Sequence, residues 1–201
     1  MEIWMVLVEN FYQTTWLEAI AVLFGLASVW FAAKNNIWVF PTGIINVLIY
    51  IYICQKHGLY ADMGINAFYF IMSVYGWYNW THNKGEKVDL PITRASTAQN
   101  IIIGTLIVLF FIILRYVLIH FTDSQVPNID SLTTSIFLVA MWLMAKKKIE
   151  NWTLWIVGDL ITIPLYFYKD LTLTSIQYLI FLAIAIKGYR SWNKQLISKH
   201  V

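Results

Sequence analysis

Charge is what this chain has least of. Asp, Glu, Lys and Arg make up 12% of its residues, about half the ~25% of an ordinary soluble domain. So few charges cannot cover a water-facing surface, while apolar residues supply 59% of the chain. Contact with lipid accounts for the imbalance. Cysteine is almost missing as well. Cys54 alone excludes an intrachain disulfide and a cysteine-based metal framework. The four histidines, His57, His82, His120 and His200, are dispersed, with no zinc-like or haem-like spacing. No metal or cofactor is expected. No paired nucleophile and base stands out, which argues against an enzyme. The opening Met1-Glu2-Ile3-Trp4 lacks the basic stretch of a signal peptide, so nothing is expected to be removed. The run Lys146-Lys147-Lys148 reads as a topology signal, and no nucleic-acid partner is expected.

Hydrophobic length, by contrast, is abundant. A bilayer core needs roughly 20 apolar residues in a helix. Seven segments qualify, near 17–33, 37–54, 63–80, 100–119, 131–145, 152–168 and 171–189, and predict an all-α membrane protein with seven transmembrane helices. Ile3, Trp4, Val6, Leu7, Phe11 and Tyr12, interspersed with Glu2 and Glu9, predict an interfacial segment over 1–13.

Seven spans place the two ends of the chain on opposite sides. Lys34, Lys84, Lys87, Arg94, Lys146, Lys147, Lys148, Lys187, Arg190, Lys194 and Lys199 then share one side. The other side keeps only Lys56 and Lys169 and carries Asp62, Asp123, Asp130 and Asp170. The excess of basic residues marks the cytoplasmic face. The expectation is a multi-pass protein with its N-terminus outside and its C-terminus in the cytoplasm. Six or eight spans would scatter the basic residues over both faces. Arg115, near the outer end of the fourth span, is placed to snorkel.

The chain also resembles itself. At a spacing of 112 residues Glu18 matches Asp130, Trp30 matches Trp142, Ala33 matches Ala145 and Lys34 matches Lys146. Gly76-Trp77-Tyr78-Asn79-Trp80 likewise meets Gly188-Tyr189-Arg190-Ser191-Trp192. In the second helix the match drifts to 114, pairing Trp38 with Trp152 and Tyr52 with Tyr166, which predicts a short insertion and a short deletion in loops. The organisation expected is an interfacial segment (1–13), a three-helix repeat (14–95), a linker helix (96–126) and a second three-helix repeat (127–201). Because a single span joins the triplets, they run parallel, as in parallel-repeat transporters whose sites lie between the halves near the midplane.

Polar residues inside the spans then become the candidate site. Asp159 stands mid-span, where a carboxylate costs ~2.5–3.5 kcal/mol on insertion scales. Trp152 and Trp155 share its helix face. Two indoles and an anion suit a flat cation through stacking, cation–π attraction and charge. The competing reading is that Asp159 bonds a neighbouring helix and the tryptophans pack. Thr42 and Asn46 share a face of the second span, beside Pro41, whose ring removes a donor and can kink the helix. Asn66, Tyr69 and Ser73 share a face of the third, and Gln177 and Tyr178 stand on the seventh. Each of these can equally join helices.

The stretch Glu150-Asn151-Trp152-Thr153-Leu154-Trp155-Ile156-Val157-Gly158-Asp159 resembles the W-x-x-W-x-x-x-N/D signature of the PnuC-type vitamin transporters. Leu59-Tyr60-Ala61-Asp62-Met63-Gly64 and Tyr75-Gly76-Trp77-Tyr78-Asn79-Trp80 are similar to that family's third-helix motif, and Gly43-Ile44-Ile45-Asn46-Val47 to its second-helix motif. The resemblance spans about residues 16–192. It implies a three-plus-one-plus-three fold similar to the SWEET transporters, a homotrimer in the bacterial inner membrane, and facilitated diffusion of nicotinamide riboside. It further implies that a cytoplasmic kinase retains the vitamin by phosphorylating it, and that Trp152, Trp155 and Asp159 form the binding motif. Relatives carry thiamine or riboflavin. Nicotinamide riboside members often have Asn where this chain has Asp159; a carboxylate suits a cation, and thiamine is one too, so thiamine is the alternative substrate. A non-transporting membrane subunit or receptor is the further alternative.

Overall fold

The computed structural model describes residues 15–82, 90–169 and 171–198. The expected interfacial segment lies outside the described residues, as do Lys84, Lys87, Asp170, Lys199 and His200. Seven helices follow in order: α1 Trp16–Ala33, α2 Val39–His57, α3 Tyr60–Thr81, α4 Thr97–Phe121, α5 Pro127–Ala145, α6 Glu150–Tyr168 and α7 Thr172–Ser198. No strand occurs among the described residues. The seven-helix expectation holds, although α7 runs nine residues past the predicted 189.

Local chemistry sets the ends. Thr15 and Glu18 form a capping box at the start of α1, and Ser96 with Gln99 forms another at α4, each satisfying two amides that no helical carbonyl reaches. Pro127 opens α5, where its missing N–H costs nothing. Gly58 closes α2 at φ 72°, the left-handed conformation that glycine adopts without a Cβ clash. Pro41 is the third residue of α2. Its amide has no intrahelical acceptor in that first turn, so the predicted kink has no cause there. Asp130, in the first turn of α5, accepts a bond from the Ser124 hydroxyl and an ion pair from Lys169 at 2.6 Å.

Five helices (α1, α2, α4, α5 and α7) are long and apolar enough to cross a membrane. The remaining two, α3 and α6, are those in which Asp62, Asn66, Asn79, Asn151 and Asp159 dilute the apolar content. α5 is the most enclosed helix and α4 the least, with Ile101, Val108 and Ile112 facing outward.

Adjacent helices pack together within α1–α2–α3 and within α5–α6–α7. Between these groups α3 meets α5 and α1 meets α7, closing a ring of six, with α4 packed outside on α5. Exchanging α1, α2 and α3 for α5, α6 and α7 maps every pairing in the ring onto another.

The same exchange holds at single residues, 112 positions apart. Trp80 Nε1 donates to the Met144 carbonyl at 3.2 Å, and Trp192 Nε1 donates to the Ala32 carbonyl at 3.0 Å. Phe40 meets Trp80 edge to face at 5.0 Å, and Trp152 meets Trp192 edge to face at 5.6 Å. Asn35 and Lys147, at φ 54° and 51°, are the non-glycine residues in the left-handed region among the described residues. Lys34 over Trp30 and Lys146 over Trp142 make matching cation–π contacts at 4.8 and 4.2 Å. These pairs correct the register read from sequence. Phe40, not Trp38, stands where Trp152 does; Trp38 is 59% exposed and Trp152 is 1% exposed. The drift to 114 is absent from the packing.

Close approach at glycine locks this end of the bundle. A Cβ on Gly76 would enter the Phe40 ring, and one on Gly188 would lie 2.6 Å from the Trp152 ring. Gly188→Ala is therefore expected to cost about 1–3 kcal/mol by overpacking. Gly104, the eighth of the 25 residues of α4, has open space around it, and Gly104→Ala should leave stability within about 1 kcal/mol of wild type. Thermal unfolding in detergent separates the two; equal effects would contradict the packing described.

Candidate functional site

Asp159 is the tenth of the nineteen residues of α6 and is 1% exposed. It is turned into the protein, not toward lipid. Neither carboxylate oxygen has a hydrogen-bond partner, and no ion pair reaches it among the described residues. A buried carboxylate normally finds a donor or a cation. Thr162, one turn further on the same face, buries its hydroxyl, again without a partner. Periodicity on the Trp152–Asp159 face points to Thr162, which the sequence reading passed over.

Aromatic rings line this face. Trp155, one turn before Asp159, stacks on Phe137 of α5 with centroids 5.2 Å apart and planes at 24°. Phe137 stacks on Tyr178 of α7 at 5.9 Å, and Tyr178 on Tyr166 of α6 at 5.4 Å. The ladder covers the length from Trp155 to Tyr166, about 16 Å at 1.5 Å per residue. Tyr178 is also within electrostatic reach of Asp159, Tyr69 and Tyr50, so α2, α3, α6 and α7 all bring side chains toward this region. Phe137 and Tyr50 were not singled out from sequence, and Tyr166 entered only as a repeat match. An aromatic residue in an apolar helix carries no mark of its role there.

The other sequence candidates sit as follows. Trp152 has its ring against Gly188 and Trp192, and its buried Nε1 has no partner. Asn46 Nδ2 donates to the Ala21 carbonyl at 2.6 Å, joining α2 to α1. Thr42 donates to the Trp38 carbonyl of its own helix at 2.6 Å, and Asn66 Nδ2 to the Asp62 carbonyl at 2.9 Å. Tyr69 packs half-buried against the aromatic cluster around Trp80 and Trp152. Ser73 is buried on α3, and Gln177 is half-buried beside Tyr178. The structure thus brings Trp155, Asp159, Tyr69 and Tyr178 toward one region and ties Thr42, Asn46 and Asn66 to backbone. Among the described residues no group of three His, Cys, Asp or Glu side chains is placed to hold a metal.

Such an arrangement holds the chemical groups that suit a flat organic cation. The rings supply stacking and cation–π attraction, and Asp159 supplies the counter-charge in a medium where charge is strongly felt.

Comparison with known proteins agrees on one group. The family described as nicotinamide mononucleotide transporter matches residues 15–194. The nicotinamide riboside transporter PnuC of Escherichia coli K12 is 25% identical, over 90% of this chain and 86% of its own. That of Neisseria mucosa is 28% identical, over 94% and 76%. The riboflavin/roseoflavin transporter RibM of Streptomyces davaonensis is 24% identical, over 88% and 84%. A crystal structure of the vitamin B3 transporter PnuC superposes with a TM-score of 0.73 at 25% identity, covering 99% of this chain and 89% of that one. The chain belongs to the nicotinamide mononucleotide transporter family, whose members are multi-pass membrane transporters and not enzymes.

Proposed function

We propose that this protein carries nicotinamide riboside across the membrane by facilitated diffusion, seating the cationic ring against Trp155 and the ladder beside Asp159. The observation that carries the reading is the Asp159 carboxylate, buried at the middle of α6 with no partner for either oxygen. A positively charged guest is the natural complement of such a group. The names of the PnuC relatives support this choice of vitamin. Thiamine is the second reading, favoured by the acidic residue at the signature position. Around this site we place Tyr69, Gln177, Asn46, Thr42 and Asn66 as the polar lining. Trp152 enters the site only if its contacts with Gly188 and Trp192 open.

The exchange symmetry of the contacts supports two parallel three-helix repeats, 14–95 and 127–201, joined by a linker over 96–126. Transport then proceeds by rocking one triplet against the other. The end closed by the Trp80 and Trp192 bonds is assigned to the cytoplasm on the distribution of basic residues, leaving the N-terminus outside. The resemblance supports a homotrimer and retention by a cytoplasmic vitamin kinase.

Radiolabelled uptake into proteoliposomes tests the reading. Saturable entry of nicotinamide riboside down its gradient, without an imposed ion gradient, is expected; no uptake of either nicotinamide riboside or thiamine would refute it. Trp155→Leu should weaken binding by roughly 1–3 kcal/mol, the worth of one aromatic stack, as read by calorimetry.

A further inference from the structure

We propose that Phe137 determines specificity in this carrier: in the empty protein its ring holds the stacking place over Trp155 that the vitamin ring takes, and its bulk restricts the site to a single unfused ring. The inference rests on the reading that Trp155 and Asp159 form the site. Three observations carry it. First, the Phe137 and Trp155 centroids stand 5.2 Å apart, whereas a guest ring between them needs about 7 Å, twice the ~3.5 Å carbon contact distance. Nothing stacks on Trp155 from that side unless Phe137 moves. Second, Phe137 is seated on Gly158, the residue before Asp159, and a Cβ there would run into its ring. The ring that guards Trp155 thus also touches the backbone beside the carboxylate.

Third, the equivalent pair 112 residues earlier is reversed in size. Gly25 stands where Phe137 does, and Asn46, which stands where Gly158 does, brings Nδ2 within 2.9 Å of a Cβ placed on Gly25. The first half fills this layer with an amide bonded to Ala21; the second fills it with a phenyl ring between Trp155 and Tyr178. The bulk that closes this layer thus comes from opposite members of the pair in the two halves, and in the second half it is a ring set beside Trp155.

The experiment compares calorimetric affinities for nicotinamide riboside and for N-ribosyl-3-carbamoylquinolinium, a cation that keeps the carboxamide and whose ring is one fused ring wider. Wild type, Phe137→Ala and Phe137→Leu are each tested, with melting temperature read in parallel. Wild type is expected to bind the wider cation at least roughly tenfold more weakly, the scale on which an apolar pocket discriminates size. Phe137→Ala should erase most of that gap by improving binding of the wider cation relative to nicotinamide riboside. Phe137→Leu, which keeps more of the core volume, should narrow the gap and answers the question if the alanine protein does not fold. Unchanged discrimination in the folded variants overturns the proposal. So does equal loss of both ligands, which would make Phe137 a wall and not an occupant. Failure of wild type to bind nicotinamide riboside at all would instead remove the underlying site assignment.

Discussion

Asp159→Ala is expected to weaken binding of the cationic vitamin by roughly a hundredfold or more and, at the same time, to leave the empty carrier at least as stable as wild type. The two signs come from one observation. Asp159 is buried with both oxygens unpartnered and, among the described residues, no basic side chain paired with it. Breaking a buried charge pair costs about 3–5 kcal/mol, which is the pair the guest cation would form. In the empty protein no such pair exists among the described residues, so removing the carboxyl group also removes the cost of burying its unpartnered polar atoms, about 1–3 kcal/mol. The cavity left by so small a truncation offsets only part of that. Calorimetry gives the first sign and thermal unfolding in detergent the second. A fall in both affinity and stability would mean that Asp159 is a structural residue. Normal affinity would move the site elsewhere.

The second large effect lies at the closed end of the bundle. Trp192→Ala is expected to destabilise the fold by about 3–5 kcal/mol, the range for truncating a fully buried large aromatic. Trp192 is buried completely, packs edge to face on Trp152, and donates its Nε1 proton to the Ala32 carbonyl. The mutation leaves a cavity and an unpaired carbonyl together. Trp80→Ala should cost nearly as much, because Trp80 is equally enclosed, packs on Phe40 and bonds the Met144 carbonyl. The rings of Trp80 and Trp192 lie 6.0 Å apart, so the double mutant should fall short of or exceed the sum of the singles, as neighbours do. Denaturant unfolding of the four proteins measures this. Strict additivity would contradict a shared cluster.

Both effects act on features of unequal visibility in the sequence. The helices are legible because apolar length is a local property that a bilayer demands of each segment separately, most plainly in the five that are long and apolar enough to cross a membrane. The extension of α7 to Ser198 is not. Its last turns carry Lys194 and Gln195, and they are held by tertiary contacts: the buried Trp192 ring and the bond from Asn35 Nδ2 to Gln195 Oε1. Asp159 is conspicuous because a carboxylate in an apolar run has a known cost. Phe137 is invisible for the opposite reason; what distinguishes it is its place between Trp155 and Tyr178, seated on Gly158. Thr42 and Asn66 are ambiguous for a different reason. Their side chains bond to carbonyls one turn back in their own helices, and no spacing rule tells a self-satisfied polar residue from a ligand-facing one. Residue identity also misled the repeat register, since Trp38 matches Trp152 in type while Phe40 matches it in place.

Recognition of charge by Asp159 is the claim on which the functional account stands. Its most direct test compares nicotinamide riboside with its dihydro form, which has nearly the same shape and no positive charge, binding each to wild type and to Asp159→Asn. The account predicts that wild type prefers the cation by at least about tenfold, or ~1.4 kcal/mol, and that the preference collapses in Asp159→Asn. Equal binding of the two forms by wild type, or an undiminished preference in the variant, would contradict it.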